Sequence, residues 1–141
     1  MAGMVINPRI ERGARRFNPR MLAFARKVPP FLVLEHVGRK SGKAFQAPLT
    51  GFAARDPDSL GVLVVIPLPW GADTDWCRNV RHAGRFAITR RGVRYAVTDL
   101  RVVSRAEAVG LGVRAATLLG PLRQEWQFLV GTLHASGSPE L

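Results

Sequence analysis

Cysteine is nearly absent: Cys77 stands alone in 141 residues. A single thiol excludes an internal disulfide and a cysteine-rich metal site, and it points to a reducing compartment, the cytoplasm by default. Histidine is sparse too. His36, His82 and His134 are far apart and lack ligand spacing, so no zinc or iron centre is expected. Long apolar runs are missing: the stretch over residues 60–70 is broken by prolines and falls far short of the roughly 20 residues a membrane span requires. The first 20 residues are rich in arginine and lack an apolar core, so no signal peptide is read there. Ser41 and Cys77 have no identifiable base with an orienting partner, which sets hydrolase chemistry aside.

Acidic residues are the other scarcity. The chain carries 21 Lys and Arg against 10 Asp and Glu, a net charge of +11. The imbalance is concentrated in residues 1–43, where only Glu11 and Glu35 oppose ten cations. An anionic partner is implied: nucleic acid, an acidic membrane surface, or a small ligand bearing phosphate or several carboxylates. With 47% apolar residues and no low-complexity tract, the chain should fold as one domain with a real core. Residues 1–16 form a basic arm, 17–135 the domain, and 136–141 a loose tail.

What is present reads as strands with a few short helices. Asn18 and Pro19 start a helix over "PRMLAFARKV", which Pro29 and Pro30 end. "FLVLEHVG" and "AFQAPLTGFAA" form a β-hairpin around "GRKSGK". After the "DPD" turn, "SLGVLVVIPLP" is almost continuously apolar, as expected of a central strand buried on both faces. "DTDWCRNVRHAG" is a helix capped by Thr74 and closed by Gly84. "RFAITRRGVRYAVTDLRVVS" is a second hairpin, with Phe86 and Ile88 on one face and Val93, Tyr95, Val97 and Leu100 turned to the core. "RAEAVGLGVRAATLLG" is a helix candidate weakened by Gly110 and Gly112, and a last helix or extended segment follows Pro121. Five or six strands with few helices between them argue for a small closed or split barrel.

Two motifs bear on function. In "GRKSGK", a glycine-flanked turn can expose successive backbone N–H groups, and Arg39, Lys40 and Ser41 could grip a phosphate; a merely solvated turn is the competing reading. The spacing is not that of a Walker loop. Trp76 and Asn79, at i and i+3, share a helix face on which an indole and an amide could flank a planar heterocycle, or else serve packing and capping. Asp73 and Asp75 read as capping residues. The basic N-terminal segment, interleaved with Phe17, Met21, Leu22 and Phe24, could lie on an acidic membrane. A nucleic-acid role lacks stacking aromatics on an obvious strand face.

In their order, "HVGRKSGKAFQAPLTGF", "GVLVVIPLPWG" and "DTDWCRNV", followed by a closing hairpin, resemble the deazaflavin-dependent nitroreductase family of actinobacteria, over about residues 17–130. The resemblance implies a mainly β, single-domain split β-barrel of the FMN-binding-like type. It implies an oxidoreductase that uses coenzyme F420, a deazaflavin whose phosphate carries a chain of glutamates, to pass a hydride to an electrophilic small molecule such as a quinone, activated alkene or nitro compound. Arg39, Lys40, Ser41 and Gly42 would grip the phosphate and acidic tail. Pro48, Leu49 and Thr50 would approach the cofactor from the second strand, while Pro67, Leu68, Pro69, Trp70 and Gly71, with Asp75, Trp76, Cys77, Arg78 and Asn79, would border the ring. No catalytic side chain and no metal ligand are implied. Phe45 stands where many relatives have a further basic residue. The alternatives are a non-catalytic deazaflavin or FMN carrier and, behind it, a basic nucleic-acid or membrane-surface module; oligomeric state and substrate are left open.

Overall fold

A computed structural model describes residues 17–112 and 126–135. Asn18 opens the first helix, α1 (Pro19–Lys27), its Oδ1 accepting from Arg20 N at 2.8 Å. Strands β1 (Phe31–Val37) and β2 (Ala44–Thr50) pair antiparallel, from Phe31 opposite Thr50 to Val37 opposite Ala44. Gly51 alone then separates β2 from β3 (Phe52–Arg55), which pairs with β4 (Val62–Leu68). Helix α2 (Asp75–Ala83) ends at Gly84, whose φ of 78° is the left-handed C-terminal cap. Strands β5 (Phe86–Arg90) and β6 (Val93–Ser104) follow around a turn in which Arg91 and Gly92 both have positive φ. The short helix α3 (Arg105–Gly110) is held by a capping box of Ser104 and Glu107, and β7 (Gln127–Ala135) is the last strand.

Among the described residues the seven strands form one antiparallel sheet in the order β2-β1-β5-β6-β7-β4-β3. Its two edge strands, β2 and β3, are consecutive in sequence and joined through Gly51. The chain therefore ties one edge of the sheet to the other, and the sheet must curl into a half-barrel. Gly51 leaves room at that corner for Leu32: a Cβ there would lie 2.5 Å from Leu32 Cδ2, so a larger residue would have to displace the end of that side chain.

Two apolar clusters result. Leu32, Leu34, Val64, Ile66, Leu68, Cys77, Val80, Ile88, Val97 and Leu129 fill the barrel beneath α2. Leu63, Val65, Val103, Ala108, Phe128 and Val130 pack on the other face of the sheet beside α3. Strand β4 alternates between the two, which is why it reads as unbroken hydrophobicity. It is second from the edge, between β7 and β3, and not central as its composition suggests.

Other expectations need adjustment. Among the described residues there are seven strands where five or six were expected, because Gly51 divides one run and, of the two readings of the segment after Pro121, its described part from Gln127 is extended. Val93 is exposed, since it directly follows the turn. Leu100 does turn toward the barrel: the irregularity between Thr98 and Arg101, where Asp99 has φ 56°, reverses the alternation. The expected arm 1–16, the tail 136–141 and the second half of the helix candidate over 105–120, residues 113–120, lie outside the described residues. Among the described residues no helix is long and apolar enough to cross a membrane.

Candidate functional site

The basic turn between β1 and β2 is closed by Gly42 N–H donating to Gly38 O at 2.9 Å and Gly38 N–H to Lys43 O at 2.8 Å. Gly42 takes φ 73°, a conformation that suits glycine. Ser41 Oγ accepts from Lys43 N at 3.2 Å, and Lys40, Ser41, Gly42 and Lys43 all face solvent. Arg39 does not. Its Nη1 donates to Asn79 Oδ1 at 2.7 Å, its backbone N–H donates to the same oxygen at 3.1 Å, and its Nη2 lies 3.4 Å from Asp75 Oδ1. Arg39 therefore anchors the turn to α2.

Behind this anchor, Asn79 Nδ2 meets His36 Nδ1 at 3.1 Å. Because Asn79 Oδ1 receives two Arg39 donors, its NH2 group must face His36, so Nδ1 accepts and the imidazole proton sits on Nε2. His36 is 5% exposed and stacks on Phe45 with ring centroids 5.3 Å apart, and its Nε2 has no partner. Burial lowers its pKa to about 4, against a weaker upward pull from the Asp75 carboxylate.

A cleft of about 460 Å³ opens beside the same helix. Pro48, Leu49 and Thr50 contribute from the end of β2, and Pro67, Leu68, Pro69, Trp70 and Gly71 from the end of β4 and its loop. Thr74 and Trp76 line it from the start of α2, while Met21, Phe24, Ala25 and Phe31 form the opposite wall. The size suits a small ligand, and the lining is almost wholly apolar. Thr74 occupies the N-cap position of α2 but makes no capping bond, and its buried Oγ1 has no partner. Asp75, the residue Arg39 holds, lies between Thr74 and Trp76 in sequence. Turn and cleft thus meet at the first turn of α2.

The residues singled out from sequence divide accordingly. Pro48, Leu49, Thr50, Pro67, Leu68, Pro69, Trp70, Gly71 and Trp76 line the cleft. Arg39, Lys40, Ser41 and Gly42 make the turn, which Asp75 and Asn79 fasten. Trp76 and Asn79 share a helix yet do separate things, since the Asn79 amide is engaged within the protein and not offered to the cleft. Arg78 is exposed and does not line the cleft. Cys77 lies fully buried in the barrel core, where desolvation raises its thiol pKa. Sequence reasoning missed His36, Thr74 as a lining residue, and the α1 wall. His36 has the parity of Leu32 and Leu34 along β1, an inward-facing position that could have been read. Met21 and Phe24 were read as apolar residues of a basic segment that could meet a membrane, and not as a wall of the cleft. Among the described residues, no three His, Cys, Asp or Glu are grouped to hold a metal.

No protein-family model matches the chain, and no curated protein matches it. Solved structures do. One, described as a domain-swapped dimer, is 17% identical, with 73% of this chain and 80% of that chain covered and a TM-score of 0.51. The structure of an F420-H2 dependent reductase (FDR-A) is 18% identical over 73% of this chain and 94% of that one, at TM-score 0.49. The protein Atu2129 (unknown function) from Agrobacterium tumefaciens str. C58 is 16% identical, over 89% of this chain but 57% of its own length, at 0.45. At these identities the likeness is one of fold: a mainly β half-barrel with short helices.

Proposed function

We propose that the chain is a deazaflavin-dependent reductase, with the ring of a coenzyme F420-type cofactor in the cleft and its phosphate and glutamate tail on the basic turn. One juxtaposition supports this: an apolar slot and an exposed cationic turn meet at the start of α2. The residues present fit such a group. A planar ring needs flat apolar walls, which Pro48, Leu49, Pro67 and Trp76 offer, and a polar edge needs a partner, which the unpaired Thr74 Oγ1 supplies. An acidic tail needs exposed cations, here Lys40 and Lys43, beside the positive end of a helix. The sequence resemblance carried by "GRKSG", Pro48-Leu49 and Trp76-x-x-Asn79 points the same way.

When bound and reduced, such a cofactor supplies a hydride from C5 of its ring to an electrophilic small molecule. The protein's part is positioning. The apolar walls would exclude water and hold the ring, the unpartnered Thr74 Oγ1 would be available to its polar edge, and Lys40 and Lys43 would balance the tail's charge. Arg39, anchored by Asn79 and Asp75, sets the turn and does not itself reach for the ligand.

The test is a fluorescence titration with coenzyme F420, with a deazaflavin lacking the phosphate and glutamate tail, and with FMN. The full cofactor should bind saturably, at least about tenfold more tightly than the tail-less ring, since one charge-assisted contact is worth that much. Absence of saturable binding, or preference for FMN, overturns the assignment.

A further inference from the structure

The mouth of the cleft carries its apolar residues outward as well as inward. Trp70, at the tip of the loop after β4, is 84% exposed; across the opening Phe24 is 53% and Met21 48% exposed, with Phe31 beside Phe24 at a ring-centroid distance of 5.7 Å. Four large apolar side chains on one rim are costly to leave in water. Cations frame them. On α1, Arg20 and Lys27 stand four residues before and three after Phe24, so all three share the helix's outward face. Arg91 joins them, because Gly92 N–H donates to Arg26 O at 2.8 Å and this brings the β5–β6 turn against the end of α1.

We propose that this rim docks on an anionic lipid bilayer, with Trp70 and Phe24 entering the headgroup region and Arg20, Lys27 and Arg91 pairing with lipid phosphates. Aromatic side chains ringed by Lys and Arg match such a surface in both polarity and charge. A second copy of the chain matches it poorly, since it would set these cations against one another at a net charge of +11 per copy. Residues 1–16 match no better, carrying four Arg and one Glu. A nucleic acid would use the cations and aromatic faces but leave Met21 in polar surroundings. The docking does not depend on the cofactor assignment: vesicle binding is measured with no cofactor present, so either can fail alone.

The test is co-sedimentation of the full chain with vesicles of phosphatidylcholine alone and with vesicles of equal parts phosphatidylcholine and phosphatidylglycerol. The chain should pellet with the mixed vesicles and remain in solution with the neutral ones. Arg20→Gln with Lys27→Gln should weaken binding roughly 30-fold, each cation being worth about fivefold, and Phe24→Ser with Trp70→Ser at least about tenfold. Circular dichroism checks that the variants fold; independently of any variant, brominated lipid in the mixed vesicles should quench the parent's tryptophan fluorescence. Failure to bind the mixed vesicles, absence of quenching, or binding that survives Phe24→Ser with Trp70→Ser overturns the proposal. Tight binding of a single-stranded oligonucleotide that the same double variant abolishes, with no vesicle binding, assigns the rim to nucleic acid instead.

Discussion

His36 must be neutral in the folded chain, since its Nδ1 accepts from Asn79 and the ring lies in the barrel wall. Its pKa falls from an ordinary 6.5 to about 4 on folding, so between these values the unfolded chain binds the proton and the folded chain does not. Stability is therefore intact above pH 6.5 and lost as pH falls toward 4, by about 2 kcal/mol between pH 7 and pH 5. Urea unfolding at the two pH values should show this difference, and His36→Leu should abolish it; an unchanged pH dependence in the variant would refute the assignment. Protonated His36 would also set two donors face to face with Asn79 Nδ2. Asn79→Ala, which leaves the Arg39 donors and a buried imidazole without their partner, should cost about 2–3 kcal/mol by the same measurement. Asn79 was legible as a residue of interest from its spacing with Trp76, but its role was not, because its partners are 40 and 43 residues away in sequence.

At the scale of elements, local sequence carried a great deal. Asn18-Pro19, Gly84, Arg91-Gly92 and the apolar run of β4 each announce their element through capping, turn chemistry or alternation. The division of β2 from β3 at Gly51 was hidden, because a glycine inside an apolar run gives no sign that the chain is passing from one sheet edge to the other. Leu100 was read as facing the core, but the irregularity at Asp99 that puts an even-numbered residue there was hidden, since strict alternation from Val93, Tyr95 and Val97 would turn it outward. Gly131 lies in β7 opposite that irregularity, between Val130 and Thr132, which pair with Arg101 and Thr98. A methyl group there would overlap Val97 Cγ1, meet Leu100 Cδ2 at 2.9 Å and Thr98 O at 3.2 Å. Gly131→Ala should therefore destabilise by about 2–3 kcal/mol, more than Gly51→Ala, whose Cβ meets only the ends of flexible or yielding side chains. Thermal melts of the two variants rank them, and equal melting temperatures would count against this packing.

For the molecule as a whole, the sheet's curl brings together what the sequence keeps apart. The turn at residues 38–43, the loop at 67–71 and the helix from Asp75 converge because β1 lies beside β2 while Gly51 carries the chain across to β3, the partner of β4. Order and composition were enough to suggest a half-barrel with an anion-binding turn. They were not enough to show that Arg39 is a strut, leaving Lys40 and Lys43 as the cations that face solvent. Net charge of +11 makes loose binding of any polyanion a competing effect, but such binding weakens steeply with salt, whereas a ring held in an apolar slot does not. The most direct measurement is the affinity for coenzyme F420 of the parent and of Lys40→Ala with Lys43→Ala, taken at low and at physiological salt. The double variant should keep the fold and lose about tenfold or more per charge at either salt. Equal affinity in parent and variant would remove the turn from the site and contradict the account.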